Sequence, residues 1–255
     1  MRRLIGAATG FALASGMATA QSEVPKWDVS LGLYQPNYRT NLDLRAGGTL
    51  LGVNLEDTLD LKSKVNVIRF DAGYRLSSKD SLRFSLFNAR RTTVYALPSD
   101  VTIGDVTFPA GAGVTTRLVT DEFQLKYLHR LFNRGRLSTK WTVGAHILKL
   151  GAKMNTNSGT PLIQDSSITA PLPLIGATAN YQLAKNLVLS GSVEWLSVKI
   201  KDISGKIFDG RAAISYIDKS GWGGGLAFNN FQTTVSTTRG ALDGKLSYRY
   251  TGPYL

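Results

Sequence analysis

The chain contains no cysteine, so no disulfide can stabilise it. An exported protein without disulfides needs another source of stability, and a closed ring of hydrogen-bonded strands provides one. Beyond residue 20 the sequence also lacks any apolar run near the ~20 residues that a membrane-spanning helix requires. If the chain crosses a membrane, it must therefore cross as a β-barrel, because only helices and closed barrels pair every backbone polar group within lipid.

The first twenty residues, MRRLIGAATGFALASGMATA, have the composition of a secretory signal. Two arginines precede an apolar run, and Ala18, Thr19 and Ala20 supply the small residues of a cleavage site. We therefore expect residues 1–20 to be removed and residues 21–255 to form a single domain. Arg2 and Arg3 account for two units of the formal net charge of +12, so the mature chain is also strongly basic.

Apolar and polar residues alternate along most of the remaining sequence, which is the period of a β-strand with one apolar face. The stretch DSLRFSLFNARR, residues 80–91, is typical: Leu82, Phe84 and Leu86 share one face and Arg83 lies on the other. Similar segments recur to the end of the chain. Between them, short turns at 46–48, 77–79, 133–136, 184–186 and 218–221 alternate with longer polar links at 56–64, 96–113, 153–171, 201–206 and 233–242. This predicts an all-β, closed antiparallel transmembrane barrel of about twelve strands, with ten or eight strands as alternatives. Ten would result if the segments on either side of Pro36 formed one long strand.

Alternation alone does not distinguish an outer-membrane barrel from a soluble sandwich. Several segments exceed the length of an average globular strand, and the tryptophans and tyrosines lie mostly toward strand ends, as in the aromatic girdles of membrane barrels. The predicted lipid-facing positions carry no charge; they include Thr40 in the second segment and Tyr248 and Tyr250 in the last. We therefore predict a location in the outer membrane of a Gram-negative bacterium.

Charged residues on the opposite face are predicted to line the lumen. The candidates are Arg69, Asp71, Arg75, Arg83, Glu122, Lys126, Lys140, His146, Glu194, Arg211 and Arg249. Two interpretations stay open. The charges fill the lumen as cross-strand ion pairs, or the excess of basic residues forms a narrow passage that favours anions.

No catalytic, cofactor or metal-binding residue is predicted. Neither His129 nor His146 has a serine or aspartate at a spacing that marks an activated nucleophile. The acidic residues Glu56, Asp57 and Asp60 match no defined calcium loop, so a solvated acidic loop is favoured over a cation site. Nucleic-acid binding is also disfavoured, because the basic residues are spread along many strands rather than clustered.

Several stretches resemble the small Gram-negative outer-membrane β-barrel proteins in the style of OmpW and the OmpA barrel. They are GTLLGVNLEDTLDL (48–61), IRFDAGYRLSSKDSLRFSLFNARR (68–91), IGDVTFPAGAGV (103–114), NYQLAKNLVLSGSVEWLSVKI (180–200) and LSYRYTGPYL (246–255). The resemblance covers essentially the whole mature chain. It implies an outer-membrane location and a barrel architecture, and it transfers no catalytic residue.

The resulting functional expectation is a non-enzymatic, porin-like barrel that is structural or forms a narrow channel for small anionic or amphipathic solutes. The alternatives are a lipid-modifying enzyme with a Ser/His site at the rim, or a protein that binds or adheres through its surface loops. We expect a monomer that contacts outer-membrane lipid and lipopolysaccharide. The barrel-assembly machinery and periplasmic chaperones are expected partners during biogenesis.

Overall fold

The computed structural model describes residues 26–46, 49–58, 60–96, 100–103, 106–157, 163–200, 202–237 and 244–255. The predicted signal segment, residues 1–20, lies outside them. Within the described residues, no helix has the length and apolarity to cross a membrane. The elements in chain order are β1 Trp27–Tyr34, β2 Asn37–Ala46, β3 Thr49–Asn54, α1 Leu55–Thr58, β4 Val67–Arg75, β5 Asp80–Ala96, β6 Val101–Ile103, β7 Val106–Phe108, β8 Gly113–Arg134, β9 Leu137–Thr156, β10 Ile163–Ala184, β11 Leu187–Ile200, β12 Ile203–Ile217, β13 Gly223–Thr237 and β14 Gly244–Tyr254.

The strands form a closed antiparallel barrel, as the sequence predicted, with ten positions in the ring rather than twelve. β1 and β2 occupy a single position, because the chain continues in one direction through Gln35 and Pro36 and both segments pair with β14. The break occurs at proline because this residue has no N–H to donate to a neighbouring strand. The ring closes where Leu33 and Leu255 exchange backbone hydrogen bonds of 2.8 and 2.9 Å.

Three strands lie outside the ring. β3 pairs with β2. β6 and β7 form a separate two-stranded hairpin within the long connection between β5 and β8. β3, β6 and β7 lie at the end of the barrel with the longer connections, and the ring is closed without them.

The outward face of the barrel carries a belt of exposed apolar and aromatic side chains next to the short turns. On β9 the belt comprises Trp141, Val143 and Ile147, and it gives way to Lys149 toward the long connections. Where burial is described, it alternates with a period of two along the ring strands, as expected for side chains that point in turn to the lumen and outward. Other belt members are Val29, Leu31, Leu33, Ile68, Leu86, Leu125, Ile175, Leu189, Val193, Trp195, Ile214, Tyr216, Leu226 and Phe228.

The predicted faces of β2 and β14 are wrong. Thr40, Tyr248 and Tyr250 are buried inside the barrel, whereas Arg39 and Arg249 are exposed on its outer face. In β2 the error arises because no turn separates it from β1, so the alternation continues unchanged across Pro36. In β14 it arises because the tyrosines, which resemble girdle residues in sequence, use their hydroxyl groups inside the lumen.

The short turns that were predicted near residues 77–79, 133–136, 184–186 and 218–221 all lie at the end of the barrel that also contains Trp27 and Leu255. In the last of these turns, the Ser220 hydroxyl and the amides of Ser220 and Trp222 donate to Asp218, which holds the pKa of that carboxyl below its usual range. Two other predicted links differ. The turn at 46–48 lies at the opposite end, and the link predicted at 201–206 is short, since β11 ends at Ile200 and β12 begins at Ile203.

Candidate functional site

The barrel interior is the candidate functional site, and it is layered along the barrel axis. An open, polar vestibule at the short-turn end leads to two layers of charged side chains near the middle of the barrel. An aromatic layer follows, and a cap formed by α1 covers the end with the long connections. The inward-facing positions of all ten ring strands contribute to these layers, because alternate residues of each strand point into the lumen.

Ten of the predicted lining residues lie at inward positions. Arg69, Asp71, Glu122, His146 and Glu194 are buried, and Arg75, Arg83, Lys126, Lys140 and Arg211 line the vestibule or its inner end. Arg249 is the correction, since it points outward beside Arg39. The tyrosines on either side of it, Tyr248 and Tyr250, take the inward positions instead.

The first charged layer is organised around Asp71 on β4. Its carboxylate accepts hydrogen bonds from Arg69 at 3.1 to 3.2 Å, from Ser85 at 2.5 Å and from the Tyr254 hydroxyl at 2.9 Å. Arg211 lies 3.9 Å from the same carboxylate and stacks over the Tyr254 ring at 5.0 Å. This layer joins β4, β5, β12 and β14 across the lumen, and its buried charges are paired, as charges in a low-dielectric interior must be.

The second charged layer surrounds His146 on β9, which is completely buried. Its Nδ1 lies 3.5 Å from Glu122, and its Nε2 lies 3.4 Å from Asp209 and 3.8 Å from Glu194. Neither ring nitrogen has a hydrogen-bond partner among the described residues. Lys126 approaches from the vestibule side, with its ammonium 2.6 Å from Glu194 and 4.0 Å from Asp209.

Neighbouring groups hold this second layer rigidly. Gln124 and the Tyr250 hydroxyl each donate to Glu122 at 2.6 Å. The His146 ring stacks on Phe231 with centroids 5.3 Å apart, and Phe231 stacks in turn on Tyr250 at 4.7 Å. These contacts fix the plane of the imidazole, and carboxylate oxygens lie 3.4 to 3.8 Å from its two nitrogens.

Aromatic and aliphatic side chains fill the lumen above the charged layers. Phe231 and Tyr250 have no exposed surface. Besides stacking on each other, they pack edge-to-face with neighbouring rings at 5.6 to 6.4 Å. The cluster consists of Tyr34, Tyr38, Val67, Phe87, Ala89, Leu148, Leu172, Ile207, Ala227, Phe231, Tyr248, Tyr250 and Tyr254. Among the described residues, these buried side chains occupy the lumen between the charged layers and the long connections.

The segment between β3 and β4 closes the far end of this layer. Glu56 of α1 accepts hydrogen bonds from the Thr40 amide at 2.6 Å and from Arg91 at 2.5 Å. The Arg91 guanidinium also lies over the Tyr38 ring at 4.5 Å. Glu56 therefore serves as an anchor for the cap, whereas Asp57 and Asp60 are exposed, as expected for a solvated acidic loop.

The vestibule opens at the short-turn end and has a volume of about 240 Å³. Basic side chains outnumber acidic ones in its lining: Lys26, Arg69, Arg75, Lys79, Arg83, Lys126, Arg130, Lys140 and Arg211 against Asp28, Asp80, Glu194 and Asp209. Arg83 pairs with Asp28 at 3.2 Å. The buried Nε of Arg130 has no partner among the described residues, and Lys140 makes only a 3.5 Å contact with Ser81.

The contacts of the two histidines do not form a hydrolytic site in the described part of the chain. His129 lies beside the short-turn end, with Nδ1 2.7 Å from Asp80 and its ring 5.8 Å from Trp141. His146 contacts carboxylates and Phe231 in the middle of the lumen. Neither histidine has a serine among its described partners, as a Ser–His pair would require.

Sequence reasoning placed His146 and Glu194 on the inner face but did not join them with Asp209 as one group. They lie on β9, β11 and β12, so only the register of three strands brings them together. The sequence signal for this group is weak, because each of the three residues is a single ionisable residue at an inward position of its strand.

No protein-family model matches the chain, and no curated protein matches it. Among solved structures, it resembles the outer-membrane protease OmpT of Escherichia coli at a TM-score of 0.53 and 11% identity, covering 89% of this chain and 95% of that one. The translocator domain of the autotransporter NalP of Neisseria meningitidis matches at a TM-score of 0.38 and 9% identity, over 91% and 89% of the two chains. Ail, the attachment invasion locus protein of Yersinia pestis, matches at 0.35 and 11% identity, over 90% and 99%.

Identities this low establish the fold alone. None of the three structures is OmpW or OmpA, so the resemblance to that narrower group remains an expectation. OmpT is a protease, and this activity is stated of OmpT only. The chain has the fold of outer-membrane β-barrel proteins.

Proposed function

We propose that the protein is a closed barrel of the Gram-negative outer membrane that binds small anions in its vestibule from the periplasmic side. The exposed apolar belt supports a membrane location. So do Trp27, Trp141 and Trp222 at its short-turn edge and Trp195 at its other edge. In such barrels the short turns face the periplasm, which orients the vestibule toward that compartment.

Assembly factors and chaperones remain the proposed biogenesis partners, and a closed ring without free edges favours a monomer.

The observation that carries this proposal is the contrast between the two halves of the lumen. In the middle of the lumen, the side chains of His146, Phe231 and Tyr250 are completely buried. The vestibule below them is open and has more basic than acidic side chains. An anion held there would pair with basic groups such as Arg130 and Lys140, which have few partners in the described structure.

The first test measures conductance and anion binding on the same refolded preparation. We expect a silent planar bilayer, because the packed aromatic layer blocks ion flow. We also expect inorganic pyrophosphate to bind with an affinity that falls about tenfold in Lys140→Met, since a charge-assisted contact is lost. Isothermal titration calorimetry measures the binding, and the control is Lys185→Met, which removes an exposed lysine in a short turn outside the vestibule lining.

Two outcomes would contradict the proposal. Steady single-channel currents with an anion-selective reversal potential would mean that the lumen opens, and would favour a narrow anion channel instead. Equal pyrophosphate affinity in the two lysine variants would remove the vestibule as the binding site.

A second proposed role is contact with the phosphates of lipopolysaccharide around the outer face. Beyond the apolar belt the described outward positions carry a collar of basic residues: Arg39, Arg90, Arg117, Lys149, Lys153, Lys199, Lys206, Lys245 and Arg249. Arg39 and Arg249 are direct cross-strand partners and line a groove of about 360 Å³. Like charges directly opposite each other are unfavourable, and a phosphate bound between the two arginines would reduce their repulsion. Glu56 and Asp57 also line this groove.

The collar predicts a loss of lipopolysaccharide binding when both arginines are neutralised. We expect Arg39→Gln combined with Arg249→Gln to weaken binding about tenfold, because two charge-assisted phosphate contacts are removed. The measurement is the thermal shift of the detergent-solubilised barrel across a lipopolysaccharide titration. Lys219→Gln, in an exposed turn at the opposite end, should bind like the wild type. An unchanged titration in the double variant would argue against the collar.

A further inference from the structure

The unpartnered imidazole of His146 requires an explanation. A completely buried polar group without a hydrogen bond is costly, and such groups in native structures usually indicate a function, a water or an ion. Both nitrogens of this ring lack a hydrogen-bond partner among the described residues, although carboxylate oxygens surround them. We propose that His146, Glu194 and Asp209 form a binding site for a divalent transition metal, with Zn²⁺ as the representative ion.

The spacing of the donor atoms fits a metal better than it fits direct hydrogen bonds. Two ligands bound at about 2.1 Å in a tetrahedral site lie about 3.4 Å apart. The Nε2 of His146 lies 3.4 Å from Asp209 and 3.8 Å from Glu194. All three donor atoms lie within 4.8 Å of one another. A small movement of the two carboxylates toward the imidazole would bring all three donors to metal-binding distance.

Glu122 has the position of an orienting group for the imidazole. Metal-bound histidines commonly donate their second ring N–H to a carboxylate, which fixes the tautomer and the ring plane. The Nδ1 of His146 lies 3.5 Å from Glu122, and hydrogen bonds from Gln124 and Tyr250 hold that carboxylate in place. Nδ1 would therefore carry the proton and leave Nε2 free to bind the metal.

The local charge also favours a cation. Glu122, Glu194 and Asp209 contribute three negative charges, and Lys126 contributes one positive charge. The neighbouring group of Arg69, Asp71 and Arg211 adds one net positive charge. With a neutral imidazole these buried groups together remain negative.

Access to the site is available from the vestibule. Glu194, Asp209 and Lys126 all line that cavity, so an ion and a water in the fourth coordination position can reach the carboxylates without unfolding the barrel. Lys126 occupies the entrance, because its ammonium contacts the Glu194 oxygen that would bind the metal. Metal binding must therefore displace Lys126 into the vestibule, and the lysine acts as the competing cation.

The experiment uses tag-free, full-length barrel that has been freed of metal with a chelator. The sequence contains only two histidines, so His129→Gln leaves His146 as the single imidazole. We expect one Cu²⁺ per chain in this variant, with nitrogen hyperfine splitting in its electron paramagnetic resonance spectrum. Zn²⁺ is expected to compete for the same site and to raise the melting temperature of the wild type.

Two further variants test the ligands and the competing cation. His146→Gln should lose the nitrogen signal and the thermal shift. Lys126→Met should bind Zn²⁺ at least about tenfold more tightly, because no ammonium has to be displaced. If His146→Gln does not fold, the His129→Gln spectrum and the Lys126→Met affinity still decide the question.

A folded His129→Gln barrel that binds no metal would overturn the proposal and leave His146 as a packing residue among the carboxylates. Metal bound without nitrogen splitting would also overturn it, because the ion would then lie on exposed acids such as Asp57 and Asp60.

Discussion

Replacing Asp71 with alanine is expected to lower the free energy of unfolding by about 3 to 5 kcal/mol, the cost of breaking a buried ion pair by removing one partner. The Asp71 carboxylate is 2% exposed, and it accepts hydrogen bonds from Arg69, Ser85 and Tyr254. Without it, the Arg69 guanidinium remains buried and unpaired. Urea unfolding in lipid vesicles, followed by tryptophan fluorescence, measures the change.

The control for this prediction removes both partners. Arg69→Met combined with Asp71→Leu should recover much of the loss, because replacing a buried pair by apolar groups of similar size is often neutral. Asp57→Ala, on an exposed face of α1, should leave the unfolding midpoint unchanged. An Asp71→Ala cost below about 1 kcal/mol, as for a surface pair, would mean that water reaches this layer.

Placing an arginine at Val143 is expected to destabilise the barrel in lipid by about 2 to 4 kcal/mol, the cost of a basic side chain near the midplane of a membrane barrel. Val143 lies outward within the apolar belt of β9, between Trp141 and Ile147. The result would locate the bilayer core on the barrel. Unfolding in vesicles of defined thickness is again the measurement.

Gly151→Arg is the matched control on the same strand and the same face. It lies beyond the belt, and a side chain there would meet only Val119 at 3.9 Å. Its cost should be about 0 to 1 kcal/mol, as near the membrane interface. Equal costs at the two positions would contradict the assignment of the belt to lipid.

Most of the strands and most of their faces follow from the amino-acid sequence alone. Alternation with a period of two identifies the outward apolar residues of β1, β4, β5 and β8 to β13, because a barrel strand has one face toward lipid and one toward the lumen. By the same logic, ten of the eleven predicted lining residues lie at inward positions. Short-range chemistry was sufficient for these predictions, since each depends only on neighbours along one strand.

The sequence did not determine the number of strands in the ring. Whether Pro36 ends a strand or only interrupts it depends on β14, which pairs with both β1 and β2. The faces of Arg39 and Arg249 depend on that same continuity. The inward tyrosines of β14 likewise depend on partners far along the chain, such as Glu122 for Tyr250.

Which charged residues meet in the lumen depends on the folded barrel. His146, Glu194 and Asp209 come from three strands, and their convergence depends on strand register and on curvature of the closed sheet. A shift of one residue in any of these strands would turn its side chain outward, because alternate residues point to opposite faces. The lumen could therefore be predicted from sequence as a charged surface, but the closed aromatic layer and the His146 cluster required the folded barrel.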